Sequence, residues 1–131
     1  MALYTLKKEE RLRKRKEFQA VFQEGVKIYG KHFIVYLRKN DREIRRIGIA
    51  VSRKVGRAVK RNRIKRLVRE FFRLNKDLFP SGTDVVIVGK KEMPPLTYWD
   101  VWDELTETLK SATPLIEKET LPIKHGIFEH R

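Results

Sequence analysis

The chain contains no cysteine among its 131 residues. That absence excludes disulfides, zinc ribbons and thiol nucleophiles together, and it fits a reducing compartment. Long apolar runs are also missing: nothing approaches the roughly 18 residues that a membrane span requires. The N-terminal "MALYTLKKEERLRKRK" has no apolar core of the signal-peptide kind. A cytoplasmic protein with no membrane partner is the expectation. Catalytic signatures are as scarce. No HExxH, no Walker loop and no serine in a nucleophile elbow occurs, and the basic body has no paired carboxylates at helical spacing. The three histidines are His32, His125 and His130. A self-sufficient metal nuclease needs several convergent carboxylates. Here Asp41 and Glu43 read as turn residues, Asp84 as flanking a strand, and Glu92 as loop.

Acids are few, and that imbalance turns attention to what is present. Lys and Arg number 31 against 17 Asp and Glu, a formal charge of +14. Residues 98–131 hold seven acids and four bases, so residues 1–97 carry +17 and the rest −3. Such a charge destabilises a compact state by self-repulsion, and a polyanionic partner relieves it. The length suits one domain with one core.

Residues 7–16, "KKEERLRKRK", read as a basic arm leading into a helix "RKEFQAVFQEG", with Phe18, Val21 and Phe22 at i, i+3, i+4 and Gly25 at its end. "KHFIVYLR" (31–38) and "IRRIGIAVS" (44–52) read as strands, and "KNDRE" between them suits a hairpin. Residues 25–30 leave room for a short extra strand. A second helix is expected from Arg57 to Asn75, and "TDVVIVG" (83–89) suits a strand buried on both faces. The last helix starts near Thr97, with Asp100 as a capping-box partner and Tyr98, Trp102, Leu105 and Leu109 on one side. Beyond Pro114 the pattern thins. The division is therefore a domain over 1–112 and a weakly ordered extension over 113–131. The fold class is α+β, an α/β sandwich of helices on a small, mostly antiparallel sheet. A parallel strand–helix–strand unit across 44–89 carries the general expectation of a right-handed crossover.

The second helix concentrates the charge. In "KRNRIKRLVR" (60–69), Ile64, Leu67 and Val68 form an apolar stripe that continues to Phe71 and Phe72 and must pack on the sheet. Lys65, Arg66, Arg69 and Arg73 fall away from that stripe, at about 100° of rotation per residue. Arg57, Lys60 and Arg61 continue the stripe's own sector upstream, where a dry core could not accept them. The helix N-terminus is thus expected to run past the core, its dipole adding positive potential. Glu70 is the single acid between Arg53 and Arg73. Asn62, between Arg61 and Arg63, is a modest helix former whose amide suits a hydrogen-bonding task. Planar guanidinium groups suit phosphate.

The first strand separates by parity into Phe33, Val35 and Leu37 on one face and His32, Ile34, Tyr36 and Arg38 on the other. The next places Ile47, Ile49 and Val51 opposite the small residues Gly48, Ala50 and Ser52. Tyr36 beside small residues, with Phe18 and Phe22 as a second wall, suits single-stranded nucleic acid, whose bases stack on aromatics. The competing reading docks Phe18 and Phe22 on the sheet as core. Phe22 fits either role, and the groove is slightly favoured for Phe18 and Tyr36. His32 reads as a surface or groove side chain.

The strings "EFQAVFQEG", "RIGIAVSRKVGRAVKRNRIKRLVREFFR" and "DVVIVGKK", in this order, resemble the protein subunit of bacterial ribonuclease P, the Arg-Asn-Arg element at 61–63 most specifically. The likeness spans roughly residues 5–110. It implies a ribosomal-protein-like fold with a left-handed crossover, against the general expectation. It also implies a holoenzyme that removes the 5′ leader of precursor transfer RNA, its catalytic centre in the RNA subunit with bound Mg2+. By resemblance, Arg57, Lys60, Arg61, Asn62, Arg63, Lys65, Arg66 and Arg69 bind the RNA subunit. Phe18, Phe22, Tyr36, Arg53 and Lys54 bind the leader. No residue of the chain is expected to be catalytic or to hold a metal, and no protein partner is expected. The alternative is a structural RNA-binding protein, such as a ribosomal component, with the same basic helix and no leader groove.

Overall fold

Four strands form one sheet in the order β1-β2-β4-β3, in a computed structural model that describes residues 6–120, with side chains to residue 111. The elements are α1 (Arg15–Glu24), β1 (Val26–Tyr29), β2 (Phe33–Lys39), β3 (Arg46–Ala50), α2 (Ala58–Leu74), β4 (Thr83–Gly89) and α3 (Tyr98–Thr120). β1 and β2 pair antiparallel, as do β2 and β4, whereas β3 and β4 run parallel. The expected hairpin between β2 and β3 does not form, because β4 inserts between them. β4 is the most uniformly buried strand, and an apolar run covered on both faces is most stable with a neighbour on each side. The "KNDRE" stretch still turns, but it arches over the start of β4. Asn40 N donates to Gly82 O at 2.9 Å, and Asn40 Nδ2 donates to Asp84 Oδ1 at 2.8 Å. Gly82 sits at φ +63, a conformation that favours glycine.

α2 and α3 cover one face of the sheet and bury the main core: Phe33, Val35 and Leu37 of β2, Val85 and Ile87 of β4, and Ile64, Val68, Phe71 and Phe72 of α2. The parity and stripe expectations hold for these residues. Val101, Leu105 and Leu109 anchor α3, with Tyr98 and Trp102 partly buried beside them. Thr97 and Asp100 cap that helix reciprocally: Thr97 N donates to Asp100 Oδ2 at 2.8 Å, and Asp100 N donates to Thr97 Oγ1 at 3.2 Å. The backbone of α3 continues past Pro114 to Thr120. The remainder of the 113–131 extension lies outside the described residues.

α1 crosses the opposite face and closes a smaller cluster of Leu12, Val21 and Val86. Gly25 ends α1 at φ −86, so its value there is space and not a left-handed turn. A Cβ at position 25 would stand 2.6 Å from Val21 O and 2.9 Å from Leu37 O. The basic arm makes a short 3-10 turn at Lys8–Glu10 and then runs along the free edge of β3. Arg11 bridges Ile47, and Leu12 N donates to Ile47 O at 2.9 Å. That pairing shields an otherwise open edge.

Candidate nucleic-acid interface

The register defines the floor of a cleft. Strand neighbours in register point to the same face, so the α1 side carries three successive rows: Arg38–Asp84–Arg46, then Lys27–Tyr36–Val86–Gly48, then Tyr29–Ile34–Val88–Ala50. α1 lies over the first two. Phe18 rests on Gly48, and Phe22 meets the Tyr36 ring edge-on, with centroids 4.8 Å apart. The third row has no helix above it. Ile34, Val88 and Ala50 are half-exposed, and Tyr29 is open to solvent. The small residues of β3 therefore do not adjoin Tyr36 directly, as expected from a hairpin; Val86 and Val88 stand between.

This placement divides the predicted aromatics. Phe18 packs with Leu12, Val21 and Val86, so its ring is chiefly the means by which α1 docks. Phe22 is 40% exposed, whereas Tyr36 is half-buried and packs against the same cluster as Phe18; its ring meets that of Phe22, and the two form the wall of the open row. Lys27, Tyr29 and Lys90 extend that wall beyond what the sequence patterns indicated. Lys27 Nζ lies 4.8 Å from the Tyr29 ring centroid and 5.6 Å from that of Tyr36, and the two phenol oxygens raise its pKa. Lys90 Nζ lies 5.8 Å from the Tyr29 ring. The period-2 spacing of Lys27 and Tyr29 on a short edge strand was the available signal. Arg53 and Lys54 are exposed in the turn after β3, where Val55 is buried and Val55 N donates to Ser52 O at 3.0 Å. His32 does not join the cleft. Its Nδ1 lies 2.9 Å from Glu104 Oε1, while Glu104 Oε2 accepts from His32 N (2.6 Å) and Phe33 N (2.9 Å). One carboxylate thus ties the β1–β2 turn to α3.

The end of the cleft under α1 is built from charge. Arg46 donates through Nε and Nη2 to the two oxygens of Asp84, both at 2.8 Å, and through Nη1 to Glu17 Oε2 at 3.2 Å. Arg38 donates to Glu24 Oε1 at 2.8 Å and stands 3.9 Å from Asp84. Acids near both ends of α1 are therefore held by two arginines that share one buried carboxylate. Asp84, read from sequence as a flanking residue, is the hub of this network. Glu17 Oε1 also accepts Lys14 N and Arg13 N at the start of α1. These bonds, then Arg46, hold the Glu17 carboxyl below its usual range.

The basic residues of α2 occupy a separate surface. Arg57, Asn62, Arg63, Arg66 and Arg69 are exposed, and Lys60, Arg61 and Lys65 half-buried. Lys60 and Arg61 are accommodated in the stripe's sector by backbone acceptors. Lys60 Nζ donates to Met93 O, and Arg61 Nε to Gly56 O at 3.1 Å. Arg63 Nη2 donates to Leu96 O at 3.0 Å. The Asn62 amide has no intramolecular partner among the described residues. Partial desolvation, and then the charge of Arg11, lower the pKa of Arg69. Among the described residues, no three His, Cys, Asp or Glu side chains form a set able to hold a metal ion. None of the helices there is long and apolar enough to cross a membrane.

Comparison with known proteins decides the family. Residues 6–113 match the model of the family described as Ribonuclease P. The chain belongs to the ribonuclease P protein family. It is 45% identical over 119 residues to the ribonuclease P protein component of Syntrophus aciditrophicus, covering 91% of this chain and all of that one. Against the component from Thermotoga maritima it is 42% identical over 105 residues, covering 77% and 90% of the two chains. The solved Thermotoga maritima RNase P protein superposes with a TM-score of 0.70, covering 78% of this chain and 96% of that one at 42% identity. The Staphylococcus aureus RNase P protein gives 0.72, covering 79% and 94% at 32% identity.

Proposed function

We infer that this chain is the RNA-binding protein subunit of ribonuclease P and that it has two RNA surfaces. The basic face of α2, around Arg61-Asn62-Arg63, binds the RNA subunit. The cleft beside α1 holds the single-stranded 5′ leader of precursor transfer RNA. The observation that carries the second assignment is the uncovered third row of the sheet, bounded by Phe22, Tyr36 and Tyr29 and set with Lys27 and Lys90. Bases stack on aromatic faces while the backbone follows positive charge, so such a strip suits an unpaired strand.

Arg57, Lys60, Arg61, Arg63, Lys65, Arg66 and Arg69 supply the phosphate contacts on α2, with Arg53 and Lys54 at the cleft. Asn62 offers an amide that the fold leaves unused. The chain contributes affinity and positioning, and the cleavage chemistry belongs to the RNA subunit. The Mg2+ of the reaction is assigned to that RNA.

The test is cleavage of precursor transfer RNA at low Mg2+ by the chain alone, the RNA subunit alone, and both together. Efficient cleavage is expected from the mixture only. Cleavage by the chain alone, or no stimulation of the RNA, contradicts the assignment.

A further inference from the structure

The first turns of α2 carry a feature that phosphate binding does not use. Between them and the Pro94–Pro95 segment lies a cavity of about 410 Å³, within the ~300–1,000 Å³ range of small-ligand sites. Its lining is largely carbon, from Val59, Ile64, Leu67, Pro94, Pro95 and Leu96. Val59 is 82% exposed, the highest value among the exposed large apolar side chains of the described residues. A β-branched residue gains nothing for a helix at such a position. The apolar surface is therefore unexplained by folding, and it lies inside the most basic segment of the chain.

The same cavity is rimmed by Arg57, Lys60 and Arg63. Lys60 and Arg63 bond to Met93 O and Leu96 O, so the side chains that charge the rim also fasten the far wall to the helix. The slot is thus preformed. Each of these heads has more N–H donors than the one bond uses.

We propose that this groove takes an unstacked nucleobase of the RNA subunit, with the flanking phosphates on Arg57, Lys60 and Arg63. The proposal rests on the RNA-binding reading of α2. A cationic rim selects a polyanion, and a carbon-lined slot selects an uncharged, flat group. A nucleotide in a loop or bulge offers both in one unit, whereas a base inside an A-form helix is stacked and cannot enter. The helix then recognises an unpaired position and not simply a charged duplex.

Val59→Ser and Arg57→Gln separate the two contributions. Val59 is so exposed that its loss leaves the fold unchanged, which a melting curve checks. Affinity for the RNA subunit is measured for both variants across a salt series. Val59→Ser is expected to weaken binding about tenfold, the effect of removing two methyl groups from an apolar contact, with the slope of log K against log salt unchanged. Arg57→Gln is expected to reduce that slope by about 1. If Val59→Ser binds like the wild type while Arg57→Gln is weakened, the groove proposal is overturned and the RNA-binding reading survives. If both bind like the wild type, the groove proposal and the phosphate contact assigned to Arg57 are overturned. A benzoylphenylalanine placed at position 59 supplies a second readout: photocrosslinks should map to unpaired nucleotides, and crosslinks confined to paired segments contradict the proposal.

Discussion

Phe18 rests on Gly48 so closely that a Cβ at position 48 would lie 2.6 Å from Cζ of the ring and 2.8 Å from Cε2. The missing side chain on β3 is the socket into which α1 docks. Gly48→Ala should displace the ring and destabilise the protein by about 1–3 kcal/mol, the usual cost of overpacking. Combining it with Phe18→Leu should cost less than the sum of the two single changes, because they share one contact. Urea denaturation of the three variants measures this. A neutral Gly48→Ala contradicts the docking role.

Asp84 is 1% exposed and takes both forks of Arg46. Replacing one partner of a buried pair leaves the other charge uncompensated, so Asp84→Asn should cost about 3–5 kcal/mol. Glu17→Gln and Glu24→Gln, at the more exposed ends of the same network, should cost about 1 kcal/mol or less. Thermal melts of the three variants test the ranking. An Asp84→Asn variant as stable as the wild type removes the hub from the account.

The depressed pKa of Glu17 predicts a pH dependence. Its carboxylate is favoured in the folded state, first by Lys14 N and Arg13 N and then by Arg46. A lowered folded-state pKa contributes stability that is complete above the unfolded value, near 4.3 for a glutamate, and is lost as pH falls through the folded value. The wild type should therefore exceed Glu17→Gln in stability at neutral pH, and the gap should close in acid. Denaturation curves between neutral pH and about pH 3 check the sign. A gap that widens in acid contradicts it.

The parts of the fold that are readable locally are those whose partners lie within a few residues or along one periodicity. The Ile64–Phe72 stripe, the Thr97–Asp100 cap and the two-sided burial of β4 belong to this class. The hairpin expectation fails for a different reason. "KNDRE" does turn, but which strand lies beside β2 depends on where β4 finds cover. Asp84 looks like a strand-flanking acid because its partner Arg46 is 38 residues away in sequence. The candidate site shows the same division. The charge of α2 is plain in its composition, whereas the separation of Phe18 from Phe22 requires knowing which strand runs beneath each. β1 brings Lys27 and Tyr29 to the cleft, and a four-residue edge strand leaves only a faint pattern.

Phe22 is exposed in the wall of the cleft, so its loss should act on binding more than on folding; Tyr36 also packs against Leu12, Val21 and Val86, so its loss should cost some stability as well. Phe22→Ala and Tyr36→Ala should each weaken leader-dependent affinity by about 1–3 kcal/mol per stacked base, with binding to the RNA subunit largely retained. Phe18→Ala should instead lower stability, by less than the about 3–5 kcal/mol of a fully buried phenylalanine, because the ring is partly buried. Paired melting and binding measurements on the three variants separate wall from socket. Equal destabilisation by all three would place the whole aromatic set in the core.

The cleft beside α1 is proposed to hold a single-stranded leader. The direct measurement is the affinity of the holoenzyme, with this chain bound to its RNA subunit, for precursor transfer RNA and for the same transfer RNA without its leader. Tighter binding of the precursor is expected, with the difference diminished by Tyr36→Ala. Equal affinity for the two RNAs would contradict it.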